Sequence, residues 1–246
     1  CLYISLPNVT LMNMHLDQFL LLQLGLWFTF LVAVALRQER TSAGVFGGLL
    51  LYLSLFVSFS LIALVPLAAA MLIAARKGYS QALKILVYLG AGCGLAYYLF
   101  YAIADYSAVE RVVQAVGRHS QWKVQSWDFE NVVYFGFLNS LDFALWCGIP
   151  VSLLCAADLW RAAVSSWNAK SVDPRETLSA GLIATGACLL VFGRTAGETG
   201  RLWLFLAPLV AYSAGRTMSR LMAGRLFAGT AVMLVLQLVI VFALKR

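Results

Sequence analysis

The sequence predicts an all-α membrane protein, a polytopic bundle of about eight transmembrane helices that includes short hairpin helices. The first observation behind this is composition: 62% of the residues are hydrophobic, only 12% are charged, and the mean hydropathy is +0.84. Soluble domains carry about 25% charged residues. The second is that apolar runs recur between short polar segments, as expected of helices that cross a bilayer. We therefore expect residues 1–246 to form a single transmembrane domain.

The net charge of +7 does not indicate a nucleic-acid partner. In a membrane protein, excess Lys and Arg mark cytoplasmic loops and contacts with anionic headgroups. The five cysteines show no CxxC or Cys/His spacing, so neither a disulfide framework nor a conventional zinc site is predicted. The partner expected from composition is the lipid bilayer.

The first element is the apolar run from Phe19 to Leu36. At 1.5 Å per residue it is about 27 Å long, close to a bilayer core of about 30 Å. His15, Asp17 and Gln18 stand immediately before it, where the helix would meet water. The two arginines of RQER at 37–40 predict that the helix ends in the cytoplasm.

The uncharged stretch from Gly44 to Ala75 is too long for one straight span, since it would reach about 48 Å. Serines lie midway and Pro66 follows, which predicts a hairpin of two short helices that returns Arg76 and Lys77 to the cytoplasm. The alternative is one long tilted helix kinked at Pro66. The hairpin places more Lys and Arg on the cytoplasmic side, so the positive-inside rule favours it.

A span over Ala82–Ala104 should lead outward to the long polar segment 105–131. The glycines of GAGCG at 90–94 predict close helix packing. Within the polar segment, VERVVQAVGR at 109–118 repeats apolar residues at i, i+3, i+4 and i+7. This spacing predicts an amphipathic helix lying on the outer face of the membrane.

Two short spans are predicted near the end, Leu178–Gly193 and Leu202–Gly215. At about 24 and 21 Å they do not fill the bilayer core. The glycine-rich segment RTAGETGR at 194–201 is therefore expected to be recessed into the membrane and to line a cavity. Leu226–Leu244 is predicted as the last span.

Asp17 is the first candidate for chemistry. A carboxylate at the outer mouth of a span could act as a general base, hold a divalent cation or accept a hydrogen bond from a sugar hydroxyl. The alternative is that it caps the helix that begins near Phe19. His15 and Gln18 are weaker candidates beside it, because a lone histidine is more often a structural hydrogen-bonding residue.

Arg194, Glu198 and Arg201 form the second candidate site. Two arginines flank a glycine-rich turn, and Arg201 precedes a helix, so guanidinium groups, backbone N–H groups and the helix dipole would together bind a phosphate or pyrophosphate. The alternative is a salt bridge between Glu198 and Arg201 that ties the segment down.

Asn139 and Asp142 form the third. The span predicted within Val132–Trp160, with a bend at Pro150, places them three residues apart on one helix face. Within the membrane, the two side chains would need a polar partner or a water-filled cavity. At the membrane interface they would need neither. Asp158 and Arg161 are expected to form a simple ion pair at the cytoplasmic edge.

Four segments resemble the GT-C superfamily, polytopic glycosyltransferases that use polyprenyl-phosphate-linked sugars. They are LPNVTLMNMHLDQFLLLQLGLWFTFLVAVALR, AGVFGGLLLYLSLFVSFSLIALVPLAAAML, FLNSLDFALWCGIPVSL at 137–153 and GETGRLWLFLAPLVA at 197–211. The order of residues that carries the resemblance is Pro7, Asp17, Arg37, Gly44, Gly47, Gly48 and Pro66.

The resemblance implies transfer of a sugar from a lipid-phosphate carrier to a glycan, lipid or protein acceptor on the non-cytoplasmic face of the cell membrane. It also implies a catalytic carboxylate in a first outer loop. No residue before Pro7 fits that loop, so the chain is expected to be the C-terminal part of a longer enzyme. Asp17 would then correspond to a second acidic residue near the donor. A membrane transporter or lipid flippase, and a non-catalytic membrane subunit, are the alternatives.

Overall fold

The computed structural model describes residues 16–75, 79–122, 128–168, 174–192 and 203–222, together with part of 228–239. Throughout these residues the chain is helical or forms short connections, and no strand occurs among them. The α-helices are α1 Leu16–Gln38, α2 Thr41–Val57, α3 Leu64–Ala74, α4 Tyr79–Ala104, α5 Ala108–Trp122, α6 Phe129–Cys147, α7 Ile149–Asn168, α8 Pro174–Phe192 and α9 Ala207–Leu221. Single 3-10 turns, Phe59–Ala63 and Leu204–Leu206, precede α3 and α9.

Two helices of the described chain are long and apolar enough to cross a membrane, Leu20–Gln38 in α1 and Ser80–Ala104 in α4. A third span is formed if the bent pair Phe129–Cys147 and Ile149–Ser165 is taken together. The all-α class is confirmed, but the structure supports two or three spans rather than about eight. The remaining apolar helices are shorter than a bilayer core requires, because their apolar runs end at serines, glycines or charged residues.

The predicted hairpin is present as α2 and α3, which are separated by a break at Ser58. The Ser58 hydroxyl group accepts a hydrogen bond from the Ser60 backbone N–H at 3.3 Å. This bond satisfies one backbone donor at the start of the 3-10 turn that follows the break. At the other end of α3, Ala75 and Arg37 line the same cavity of about 390 Å³. α2 therefore begins, and α3 ends, at the same end of the bundle. The alternative of a single long helix is wrong.

Glycines bring α2 and α4 into close contact. A Cβ atom on Gly48 would collide with the backbone carbonyl of Leu89, and one on Gly92 would collide with that of Val45. The thiol of Cys93 donates a hydrogen bond to the Gly48 carbonyl at 3.1 Å. Close packing was predicted for the whole segment 90–94. Of its three glycines, Gly92 lies at the contact with α2, whereas Gly90 and Gly94 face open space.

The bend between α6 and α7 occurs at Gly148. Its φ of 86° is unfavourable for any residue with a side chain, and the two helices meet at 114°. Pro150 lies in the first turn of α7, where it removes no helical hydrogen bond. The bend predicted at Pro150 is therefore made by the glycine two residues earlier.

The predicted amphipathic helix is α5. Val109 and Val113 of its apolar stripe are 62% and 66% exposed, so this part of the stripe is uncovered by the rest of the described chain. At its start, the guanidinium of Arg111 lies 5.9 Å from the ring centre of Tyr106. Its location on the outer membrane face stays a prediction.

α1 packs against α9 and against the 3-10 turn that precedes α9. Gly25 packs against Phe205, where a Cβ atom would lie 2.9 Å from the Phe205 Cβ. Further along, Arg37 of α1 and Tyr212 of α9 line the same cavity. The bundle thus has a loop end, where the turn Leu204–Leu206 meets α1, and a basic end, marked by Arg37.

Candidate functional site

At the loop end, α6 contacts the described residues on both sides of segment 193–202. Gly136 lies against Leu190. A Cβ atom added to Gly136 would be 3.6 Å from the carbonyl oxygen of Leu190. About two turns further along α6, the ring centres of Phe143 and Trp203 are 5.4 Å apart. Asn139 falls between these two contacts on the same helix face and is only 2% exposed. The predicted pair Asn139 and Asp142 therefore lies on the helix that contacts Leu190 and Trp203, the described residues before and after segment 193–202 in sequence.

Asp142 and Trp203 carry buried polar atoms at this place. Asp142 Oδ2 and Trp203 Nε1 are both buried, and neither has a hydrogen-bond partner among the residues that the structure describes. A buried polar group without a partner costs about 1–3 kcal/mol, and more if it is charged. One acceptor and one donor at the loop end thus have no hydrogen-bond partner among the described residues and are available for a polar ligand.

The first turns of α1 lie at the same end. Leu21 is buried in one cluster with Trp203 and Phe205, and Leu22 in another with Leu204. Asp17 occupies the first turn of α1, one turn before Leu21. α1 and α6 therefore both contact the described residues Trp203–Leu206, through Gly25 with Phe205 and Phe143 with Trp203.

Several predicted site residues lie outside what the structure describes. These are His15, Arg194, Glu198 and Arg201, together with the side chains of Asp17 and Gln18. Their roles stay predictions. Within the described residues, no group of three His, Cys, Asp or Glu side chains could hold a metal ion, so the divalent cation proposed at Asp17 also stays a prediction.

A second polar site, which the sequence indicated only in part, lies at the basic end and is centred on Asp158 of α7. Its carboxylate is 0% exposed. The predicted ion pair with Arg161 is confirmed at 2.7 Å. Two more arginines, Arg216 and Arg220 of α9, each lie 3.4 Å from the same carboxylate. Asp158 therefore links helices rather than forming a simple pair at the edge.

Two serine hydroxyl groups complete this arrangement. Ser213 of α9 donates to Asp158 Oδ2 at 2.8 Å, and Ser179 of α8 donates to the same oxygen at 3.4 Å. Ser179 also accepts a hydrogen bond from Arg216 at 3.2 Å. We call this group the Asp158 cluster; its members are Asp158, Arg161, Ser179, Ser213, Arg216 and Arg220. Three guanidinium groups surround one carboxylate, so the cluster is positively charged.

No family model, curated protein or solved structure matches this chain. The function is therefore inferred from the two polar sites and from the sequence resemblance.

The sequence contained one signal for the Asp158 cluster. An ionisable residue within a mainly apolar helix is a candidate functional or structural site by default. The distant arginines could not be assigned to it, because Arg220 is 62 residues away in sequence.

Proposed function

We propose that this chain forms the membrane part of a glycosyltransferase, a multi-pass protein of the cell membrane. It would transfer a sugar from a polyprenyl-phosphate carrier to a glycan, lipid or protein acceptor on the non-cytoplasmic face. The observation that carries the proposal is the meeting of α1, α6 and Trp203 at the loop end. What supports the proposal is that Gly25 of α1 contacts Phe205 and that Phe143 of α6 contacts Trp203, among the described residues that follow segment 193–202 in sequence.

In the proposed reaction, an acceptor hydroxyl oxygen attacks the anomeric carbon of the donor sugar. The bond from this carbon to the phosphate oxygen breaks, and the lipid phosphate leaves with the electron pair. A carboxylate accepts the proton of the hydroxyl as general base. Arg201 and Arg194 would stabilise the leaving phosphate electrostatically, and Glu198 would orient them.

The remaining predicted residues would position the substrates. Asp17, with His15 and Gln18 nearby, would orient the donor or the acceptor or hold a divalent cation. Asp142, with Asn139 on the same helix face, would bind sugar hydroxyl groups, because α6 contacts Leu190 and Trp203 at this end of the bundle. Asp142 Oδ2, which has no partner among the described residues, is the acceptor such a hydroxyl would use.

The test is sugar transfer by membranes that contain the full-length enzyme, with a labelled polyprenyl-phosphate sugar as donor. Arg201→Ala and Asp17→Asn should each abolish transfer without lowering the amount of protein, because loss of one electrostatic group costs about 10²–10³ in rate. Arg40→Ala is the matched control, since Arg40 follows α1 at the basic end. Unchanged turnover in both Arg201→Ala and Asp17→Asn would refute the proposal.

A transporter or lipid flippase is the second candidate, and the broken helix at Gly148 favours it. Discontinuous helices near polar residues form the substrate sites of many transporters, and Asp142 lies within two turns of this break. Counter-ion-dependent uptake of a solute into vesicles that contain the protein, and its loss in the Asp142→Asn variant, would support this function over sugar transfer. A non-catalytic membrane subunit would show neither activity.

A further inference from the structure

Two arginines of the Asp158 cluster extend from the buried carboxylate to the surface. Arg161 Nη2 and Arg220 Nη1 lie 2.7 and 3.4 Å from the same oxygen, Asp158 Oδ1. Since both nitrogens lie this close to one atom, they are no more than about 6 Å apart, a separation that the oxygens of one phosphate group can bridge. Their side chains are 43% and 45% exposed, so an anion can approach them from outside.

The charge of the cluster favours such an anion. Asp158 neutralises only one of the three guanidinium groups that surround it. Glu176 is also near α7, and it accepts a hydrogen bond from Ser165 at 2.8 Å, one turn beyond Arg161. Even with Glu176 included, the group keeps a net positive charge. Each guanidinium has five N–H donors, so Arg161 and Arg220 can bind Asp158 and a second anion together.

The surroundings of the two arginines are those of a membrane surface. Their immediate neighbours in sequence, Trp160 and Leu221, are 75% and 72% exposed, and Val164 is 48% exposed. Exposed tryptophan beside arginine is typical of the interface between headgroups and hydrocarbon. An anion that reaches Arg161 and Arg220 at this place would therefore carry acyl chains.

We propose that Arg161 and Arg220 bind the phosphate group of an anionic membrane phospholipid, whose acyl chains lie along the apolar surface at Trp160, Val164 and Leu221. The basic end is the side that the positive-inside rule assigns to the cytoplasm, where anionic lipids are concentrated. The site is separate from the loop end, and the proposal does not depend on sugar transfer.

The test is native mass spectrometry of the purified chain with phosphatidylglycerol or phosphatidylcholine of identical acyl chains. The chain should retain phosphatidylglycerol in preference. The double variant Arg161→Gln and Arg220→Gln should bind phosphatidylglycerol about 25-fold more weakly, at about fivefold for each arginine near the surface. The matched control is Arg40→Gln with Lys84→Gln, a basic pair that lines a different cavity at the same end and should change binding little.

Free phosphate distinguishes a lipid site from a general anion site. Inorganic phosphate in millimolar excess should not displace the lipid, because it lacks the acyl chains; displacement would overturn the proposal. Equal lipid retention in the double variant and the native chain would also overturn it. If the double variant does not fold, the single variants decide, and each should bind phosphatidylglycerol about fivefold more weakly.

Discussion

Substitution of Asp158 by Asn tests whether the buried cluster holds α7, α8 and α9 together. The substitution keeps the size of the side chain and an oxygen acceptor for Ser213, but it removes the negative charge opposite three arginines. Arg161 and Arg220 are nearly half exposed, so solvent screens them and each loses at most about 1 kcal/mol. Arg216 is only 12% exposed, so it loses the counter-charge of Asp158 where little solvent is present to replace it.

Breaking a buried ion pair by removing one partner costs about 3–5 kcal/mol. For a chain of this size that corresponds to a fall in Tm of about 6–20 °C. Unfolding can be followed in detergent micelles with a thiol-reactive dye, because Cys147 and Cys155 are 0% and 6% exposed in the folded chain and react only when the bundle opens. Arg161→Gln, at the exposed rim, should lower Tm by less than about 4 °C.

The matched control is Asp128→Asn. Asp128 is exposed and caps α6 through a 2.8 Å hydrogen bond from the Asn131 N–H, and asparagine caps helices equally well. Its Tm should stay within about 2 °C of the native value. Adding Arg216→Gln to Asp158→Asn should recover part of the stability, because the mostly buried positive charge that Asp158 opposed is then removed as well. If Asp158→Asn lowers Tm no more than Asp128→Asn does, the linking role is wrong.

The remaining predictions concern helix packing and the surface of α5. Gly48→Ala should destabilise the bundle by about 1–3 kcal/mol, because the new Cβ would meet the backbone of α4, which cannot rotate away. Gly90→Ala, which faces open space, should be neutral or stabilise by up to about 1 kcal/mol, and equal Tm values for the two variants would contradict the packing. A peptide of residues 108–122 should become helical on anionic vesicles by circular dichroism, and Val113→Ser should weaken its binding; a helix content independent of vesicles would count against a membrane surface.

The helical elements could be predicted because their signals are local. The apolar run after Asp17 predicts α1, and the repeat in 109–118 predicts α5. The break in 44–75 followed from length alone, since one helix of about 48 Å does not fit a bilayer core. Fewer candidate spans than predicted occur among the described residues, because hydropathy marks an apolar run but does not establish that its helix is long enough to cross a membrane.

Part of the candidate site could likewise be predicted from the sequence, and part of it could not. The residue types in segment 194–201 and the spacing of Asn139 and Asp142 indicated polar sites, but not which helices pack around α6. That packing depends on the contacts of Gly136 with Leu190 and of Phe143 with Trp203. The turn at Gly148 was attributed to Pro150, because a proline signals a helix break in sequence and a glycine with positive φ does not.

By itself, the sequence determined that this protein is helical, that it contains helices which could span a membrane, and where its polar segments interrupt them. Periodicity, hydropathy and helix length act over a few neighbouring residues, so they can be evaluated without coordinates. Only the tertiary structure decided that Asp158 is fully buried among three arginines and that α1, α6 and Trp203 meet at one end. Those arrangements join residues far apart in sequence, such as Asp158 and Arg220 at a separation of 62 positions, and the pairing of distant helices depends on packing, which no local pattern records.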